Sequence, residues 1–310
     1  MNNLTIGEFK NIFENYLQEY LSSLQEFYPL TDSFKYSILN GGKRIRPYLV
    51  YLGAFAVANK NCDNVINYIK ELSIGIELIH SYSLVHDDLP CMDNDTLRRG
   101  KPTTHVKYGA GMATLTGDAM LNAASEIMLS AIDNEESMKC SYVKDNVLAQ
   151  VNATRYILNN SGINGMVGGQ CIDLKEDKSS YSLQDYIKMN LLKTSALIKG
   201  ALIAGAKRFE ASSFVIKNLE IYADNLGLIF QIVDDILDVT STEAVLGKSI
   251  HSDKDHNKIT YIDYVGLEQS KIDCIKYASK AKDAIKQIEK NISNSEVFYK
   301  LIDDMLNRKY

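Results

Sequence analysis

Apolar residues recur along this chain at intervals of three and four. In "SSFVIKNLEIYADNLGLIFQIVDDILDV" they fall at Val215, Leu219, Tyr222, Leu226, Ile229 and Val233, drawing one stripe down one face of a helix. Comparable stripes run through residues 4–24, 64–86, 114–132, 141–160, 183–204, 268–289 and 296–308. Strand-like alternation bounded by turn pairs is nowhere convincing. The four prolines are Pro29, Pro47, Pro90 and Pro102, so beyond position 102 nothing breaks a helix by lacking an N–H. Boundaries fall where the pattern needs them: Ser182 with Asp185 has the form of an N-cap and its acid, and "NGG" at 40–42 that of a helix stop. With no Gly/Ser linker, low-complexity tract or repeat, the expectation is one all-α domain over residues 1–310, built from long helices.

Composition narrows the classes. Apolar residues are 45% and charged residues 24%, the balance of a globular chain. A net charge of -5 suggests neither a nucleic-acid partner nor an anionic membrane surface, so any polyanion must meet local basic residues. Cys62, Cys91, Cys140, Cys171 and Cys274 are odd in number and lack CxxC spacing, which points away from a disulfide framework or zinc and toward a cytoplasmic setting. "MNNLTIGEFKNIF" lacks a basic segment leading into an apolar run, and no uncharged apolar stretch is long enough to span a membrane.

Two acidic clusters stand out against this background. "SLVHDDLPCMDNDTLRRGKP", residues 83–102, places Asp87, Asp88, Asp93 and Asp95 directly after a buried-looking helix and just before Arg98, Arg99 and Lys101. "FQIVDDILDV" carries Asp234, Asp235 and Asp238. Asp234 and Asp238, roughly 40° apart on a helix, share a face and repel unless a cation lies between them. Asp87 and Asp93 differ by roughly 240° on a straight helix, so a kink at Pro90 is expected to return Asp93 to the face of Asp87. Both clusters end long apolar helices and are expected to meet across a cavity. Oxygen-only ligation by a few carboxylates suits Mg²⁺, which commonly completes its shell with water and substrate phosphates. Lys43 and Arg46 in "GGKRIRP", with Arg98, Arg99, Lys193 and Lys248, could meet such phosphates.

Other motifs fail on inspection. "DNDTLR" has Leu97 and Arg98 where a calcium loop wants a ligand and a glycine, "VLGKS" has Thr242 where a P-loop needs glycine, and "GAGM" has Thr114 at the last glycine of a dinucleotide fingerprint. Asp303 and Asp304 read as the polar side of a terminal helix, and His86 as a core or polar-network histidine.

In series, "GGKRIRP", "LIHSYSLVHDDLPCMDNDTLRRGKPTTH", "GDAML", "GMVGGQCIDL", "KTSALI" and "FQIVDDILDV" resemble the trans-isoprenyl diphosphate synthases, the bacterial farnesyl diphosphate synthases most closely. The resemblance spans about residues 35–270. It implies a bundle of long helices around a deep central cavity, normally a homodimer. Asp87, Asp88, Asp93, Asp234, Asp235 and Asp238 match the aspartate-rich motifs that hold Mg²⁺, usually three ions, against an allylic diphosphate. Arg98, Lys193, Thr194, Gln231, Lys248 and Lys258 match the allylic diphosphate contacts. Gly42, Lys43, Arg46, His80 and Arg99 match the isopentenyl diphosphate site. Asp87, Asp88, Asp93, Arg98, Lys193, Asp234 and Lys248 are the residues expected to carry catalysis.

The resemblance also bears on product length, which the family sets by bulk before and within the first motif. Tyr82, with Ser83 beside it, precedes Asp87 by roughly 7.5 Å of helix, where its ring could floor the cavity. Pro90 and Cys91 match the two-residue insertion of bacterial farnesyl synthases. Both favour a fifteen-carbon product made from isopentenyl diphosphate with dimethylallyl and then geranyl diphosphate. "NKITYI" departs from the family's GKxTxP loop at Asn257 and Ile262, and the tail "NRKY" resembles the basic C-terminus that can fold over the site. The rivals are a geranylgeranyl diphosphate synthase, a class I terpene cyclase and a non-catalytic helical subunit.

Overall fold

The computed structural model describes residues 4–58, 62, 64–174, 181–240 and 259–308. The fold is all-α, as the periodicity predicts. The chain divides into two compact units, Met1–Ile157 with Ala204–Glu210, and Leu158–Ile203 with Ala211–Tyr310.

The first unit carries α1 (Ile6–Ser23), α2 (Leu30–Leu39), α3 (Ile45–Val57), α4 (Lys70–Asp87), α5 (Thr104–Tyr108), α6 (Ala110–Ser130) and α7 (Asn146–Ser161) as far as Ile157. A capping box between Thr5 and Glu8 starts α1, whose Phe9, Phe13, Leu17 and Leu21 recur every fourth residue and are all buried. The Phe9 ring stacks 5.4 Å from Tyr51 of α3, and Tyr51 stacks 5.4 Å from Phe55. Helices α2 and α3 lie outside the predicted stripes. The reason is visible in α3, where every residue from Pro47 to Ala56 is buried: a helix covered on all sides has no polar face to give a period. The stripe expected from 64 begins as a 3₁₀ turn, Val65–Tyr68, before α4 takes over.

One short antiparallel hairpin, Leu97–Arg98 with Lys101–Pro102, was invisible to alternation because two residues carry no period. Its two-residue loop, Arg99 and Gly100, has φ of 53° and 75°, the signs a right-twisted hairpin demands. The Tyr36 hydroxyl donates to Pro102 O (2.6 Å) and Thr103 Oγ1 to Asp95 O (2.7 Å), pinning the hairpin to α2 and to the acidic loop.

The second unit carries α8 (Met166–Asp173), α9 (Leu183–Asn190), α10 (Ala196–Arg208) as far as Ile203, α11 (Ser213–Thr240), α12 (Tyr261–Val265), α13 (Leu267–Ile288) and α14 (Ser295–Leu306). The capping box at Ser182 and Asp185 forms as expected. All six stripe residues of α11 are buried, and α11 packs along α13. The Tyr222 hydroxyl donates to Phe298 O at 3.0 Å, so the ring is buried without orphaning its polar tip. Burial of such a side chain is worth roughly 1.5–3 kcal/mol. Asp303 and Asp304 are exposed, Asp303 pairing with Lys282 at 2.6 Å. Among the described residues no helix is long and apolar enough to cross a membrane.

Candidate active site

The first acidic cluster is organised by the end of α4. The helix does not kink at Pro90; it stops at Asp87, because the residue before a proline is pushed out of the helical region. The chain then folds back over the helix end, Leu89 N donating to His86 O (3.1 Å) and Asp93 N to Asp87 O (2.9 Å). The backbone of Asp93 therefore returns to the end of α4 by a turn and not by a bend. Asp88, 3% exposed, accepts from Arg98 Nη2 (2.6 Å) and Nε (2.8 Å) on Oδ1, and again from Nε on Oδ2 (3.0 Å). Burial raises the Asp88 carboxyl above the usual range, with Arg98 opposing. Arg98 also lies 3.4 Å from Asp95.

Beside this pair a small space, partly open to solvent, is lined by Glu77, His80, Leu84, Asp88, Arg98 and Arg99, among others. The "NGG" stop ends α2 and leads in: Gly42 has φ 141°, and a Cβ there would lie 2.9 Å from Arg99 Nη1. Arg99 Nη1 donates to Gly41 O. Arg46 is pushed down to about 10 by burial, partly offset by Glu77. Burial, then Arg46, Arg99, Arg98 and Arg44, hold His80 well below the usual imidazole range, so its ring is neutral at pH 7. Lys43 is exposed. Tyr82 is buried, its ring edge-on to His86 at 5.8 Å, and burial raises its hydroxyl to about 12. Ser83 Oγ donates to His80 O at 2.9 Å. His86 Nε2 lies 3.1 Å from Thr114 O and 3.8 Å from Asp118, the polar network expected of it.

In the second unit Asp234, Asp235 and Asp238 occupy the last turns of α11. Asp235, 2% exposed, accepts from the Tyr186 hydroxyl (2.6 Å), Tyr261 N (2.7 Å) and Gln231 Nε2 (3.0 Å). Gln231 Oε1 in turn accepts from Thr194 Oγ1 at 3.4 Å. Lys193 and Thr194 sit on a π-helical turn, Leu191–Ser195, a distortion found mostly at functional sites. The turn lies hard against α8: a Cβ on Gly169 would fall 2.2 Å from Lys193 N. Lys193 Nζ pairs with Asp173 at 2.5 Å. Asp234 pairs with Arg308 at 2.8 Å.

Among the described residues no three His, Cys, Asp or Glu side chains are gathered as a metal site. The donor set still fits Mg²⁺. It is all oxygen, and Asp238, 3% exposed, keeps a buried Oδ1 with no hydrogen-bond partner among the described residues. Asp88, Asp235 and Asp238 are all buried; Asp88 accepts from Arg98, and Asp235 from Tyr186, Tyr261 and Gln231. Lys248 and Lys258 lie outside the described residues. Sequence reasoning assigned nothing to Arg44, Glu77, Asp173 or Tyr186; Glu77 was detectable as a lone acid within "SIGIELIHSY", and Asp173 within "GMVGGQCIDL".

Comparison with known proteins decides the family. Residues 28–294 match the model described as Polyprenyl synthetase. The chain belongs to the polyprenyl synthetase family. It is 41% identical over 245 residues to a geranylgeranyl diphosphate synthase of Cyanophora paradoxa, covering 77% of this chain and 75% of that one. It is 37% identical over 287 residues to the farnesyl diphosphate synthase of Escherichia coli, covering 90% and 89%. A Helicobacter pylori geranyltransferase, solved with magnesium and isoprenyl diphosphate, superposes with a TM-score of 0.77 at 28% identity over 99% and 98% of the chains. This polyprenyl synthetase is a trans-prenyl diphosphate synthase, a prenyltransferase of isoprenoid biosynthesis.

Proposed function

We propose that the chain makes farnesyl diphosphate, adding isopentenyl diphosphate first to dimethylallyl and then to geranyl diphosphate. The observation that carries the fifteen-carbon reading is the buried Tyr82 ring, packed against His86 on the helix that ends at Asp87. A ring below the first acidic cluster stops a growing chain that a smaller residue would let pass. The relative from Cyanophora paradoxa favours geranylgeranyl diphosphate as the second reading.

In the proposed reaction residues 1–310 act as a single polyprenyl synthase domain. When bound, Mg²⁺, three ions in this reading, supplies positive charge to the leaving diphosphate. Asp87, Asp93, Asp234 and Asp238 would hold it. Asp88 keeps Arg98 aimed at the same diphosphate, and Asp235 orients Gln231 and Thr194. Lys193, Lys248 and Lys258 add cations. The allylic C–O bond breaks with its electron pair leaving on oxygen, and apolar walls keep water from the carbocation. Lys43, Arg46, His80 and Arg99 fix isopentenyl diphosphate so that its double bond attacks the allylic carbon. A proton then leaves the new chain for the departed diphosphate. No side-chain nucleophile is needed.

The proposed assembly is a cytoplasmic homodimer. Exposed Leu115 (54%) and Leu129 (46%) on α6 and Leu148 (55%) on α7 give apolar surface suited to a second copy. Incorporation of labelled isopentenyl diphosphate into chains ending at fifteen carbons, dependent on Mg²⁺, tests the function. Incorporation from no primer would favour the non-catalytic subunit.

A further inference from the structure

Arg44 stands between two residues assigned to the isopentenyl diphosphate end of the site, yet its own side chain turns inward. It is 3% exposed, and three of its donors are spent within the protein: Nη1 on Glu77 (2.6 Å), Nε on Glu14 (2.9 Å) and Nη2 on Ile38 O (2.8 Å). Burial works against its charge, and Glu77 with Glu14 overcomes that, holding the guanidinium above its ordinary range. Its backbone is left-handed, φ 52°, at the N-cap of α3, a conformation that a non-glycine residue keeps only where its surroundings enforce it. The fork on Glu77, Glu14 and Ile38 supplies that enforcement.

Glu77 is the other half of the device. It is 3% exposed on α4, one turn before His80, and lines the same space as His80, Arg98 and Arg99. For Arg46 and Arg99, as for Arg44, it is the principal group countering the cost of burying a cation. A carboxylate beside a space meant for a diphosphate repels that ligand. Its presence makes sense if the arrangement it enforces outweighs the repulsion.

We infer that Glu77 is a positioning residue for the isopentenyl diphosphate end of the site, acting through Arg44 to hold the Lys43–Arg46 segment at the start of α3 and the neighbouring cations in place before substrate arrives. The inference rests on the reading of Lys43, Arg46, His80 and Arg99 given above. It opposes the simpler view of Glu77 as a counter-charge, and the two differ in sign.

The test is Glu77→Gln in the full chain, which keeps the shape and removes the charge. The expected result is KM for isopentenyl diphosphate raised about ten-fold, with kcat and the allylic KM within about two-fold. Calorimetric binding of isopentenyl diphosphate should weaken by the same factor. An unchanged or lowered KM, or a parallel rise in both substrates' KM, overturns the inference. Because a lone buried Arg44 could unfold the variant, Arg44→Met with Glu77→Leu provides a second arm: replacing both charges by apolar groups commonly preserves folding. The folded double variant should still bind isopentenyl diphosphate about ten-fold more weakly; wild-type affinity in it overturns the inference. If the variant binds isopentenyl diphosphate more weakly than wild type while the wild-type chain makes no prenyl product, the role of Glu77 stands and the reaction reading is overturned instead.

Discussion

Arg308 Nη1 lies 2.8 Å from Asp234 Oδ1, and its guanidinium sits 4.7 Å from the centre of the Phe230 ring. A residue near the C-terminus thus occupies the first acid of the second cluster, where the proposed reaction needs a metal ion. The arrangement makes Arg308 a stand-in cation. Binding of Mg²⁺ to Asp234 has to displace it, and a partly exposed pair of this kind is worth up to about 1 kcal/mol. Arg308→Gln should therefore lower the half-saturating Mg²⁺ concentration by up to about five-fold. Manganese binding followed by spin resonance, without substrate, measures this directly; equal affinity in the two proteins would show that the pair does not compete.

Asp87 and Asp88 are sequence neighbours with different surroundings. Both Asp88 oxygens accept from Arg98, so Asp88→Asn should lower stability by roughly 1–3 kcal/mol, read as an earlier urea midpoint, and reduce turnover. Its Mg²⁺ requirement should stay within about two-fold. Asp87→Ala should raise the Mg²⁺ requirement. A large metal effect at Asp88 would return it to the ligand set.

His80 gives a pH prediction with a definite sign. Burial and then Arg46, Arg99, Arg98 and Arg44 lower its folded value, so below pH 6.5 the unfolded chain binds a proton that the folded chain refuses. The stability gained by keeping the ring neutral is fully present above about pH 6.5 and is lost as pH falls from there toward the lowered folded value. Urea midpoints of wild type should drop faster than those of His80→Gln between pH 6.5 and 5. Parallel curves would mean that the ring charges freely in the folded state.

Helix content, the cap at Ser182, the stop at 40–42 and the face shared by Asp234 and Asp238 could all be read from spacing, because local periodicity and capping chemistry determine them. What could not be read were features set by tertiary surroundings. Helix α3 lacks a polar face because it is buried all round. The Arg98 hairpin is too short to show a pattern, and the π turn at Lys193 has no compositional mark. Likewise, the sequence alone makes Asp87 and Asp88, or Asp234 and Asp235, look equivalent. Only burial and partners separate them, giving Asp88 to Arg98 and Asp235 to Tyr186, Gln231 and Tyr261.

In the proposed function Tyr82 is the residue on which product length turns. Tyr82→Ala removes a ring that is 6% exposed and should shift products toward twenty carbons, at a stability cost of roughly 3–5 kcal/mol if the space stays empty. Chromatography of the dephosphorylated products reads the distribution. An unchanged distribution in a folded variant would move the floor of the cavity elsewhere.

The most direct measurement of the central claim is product analysis by mass with Mg²⁺, isopentenyl diphosphate and, in separate reactions, dimethylallyl, geranyl and farnesyl diphosphate. The account predicts farnesyl diphosphate as the end product from the first two primers and little extension of the third. Ready extension of farnesyl diphosphate to twenty carbons would contradict the Tyr82 floor, and no Mg²⁺-dependent product from any primer would contradict the reaction itself.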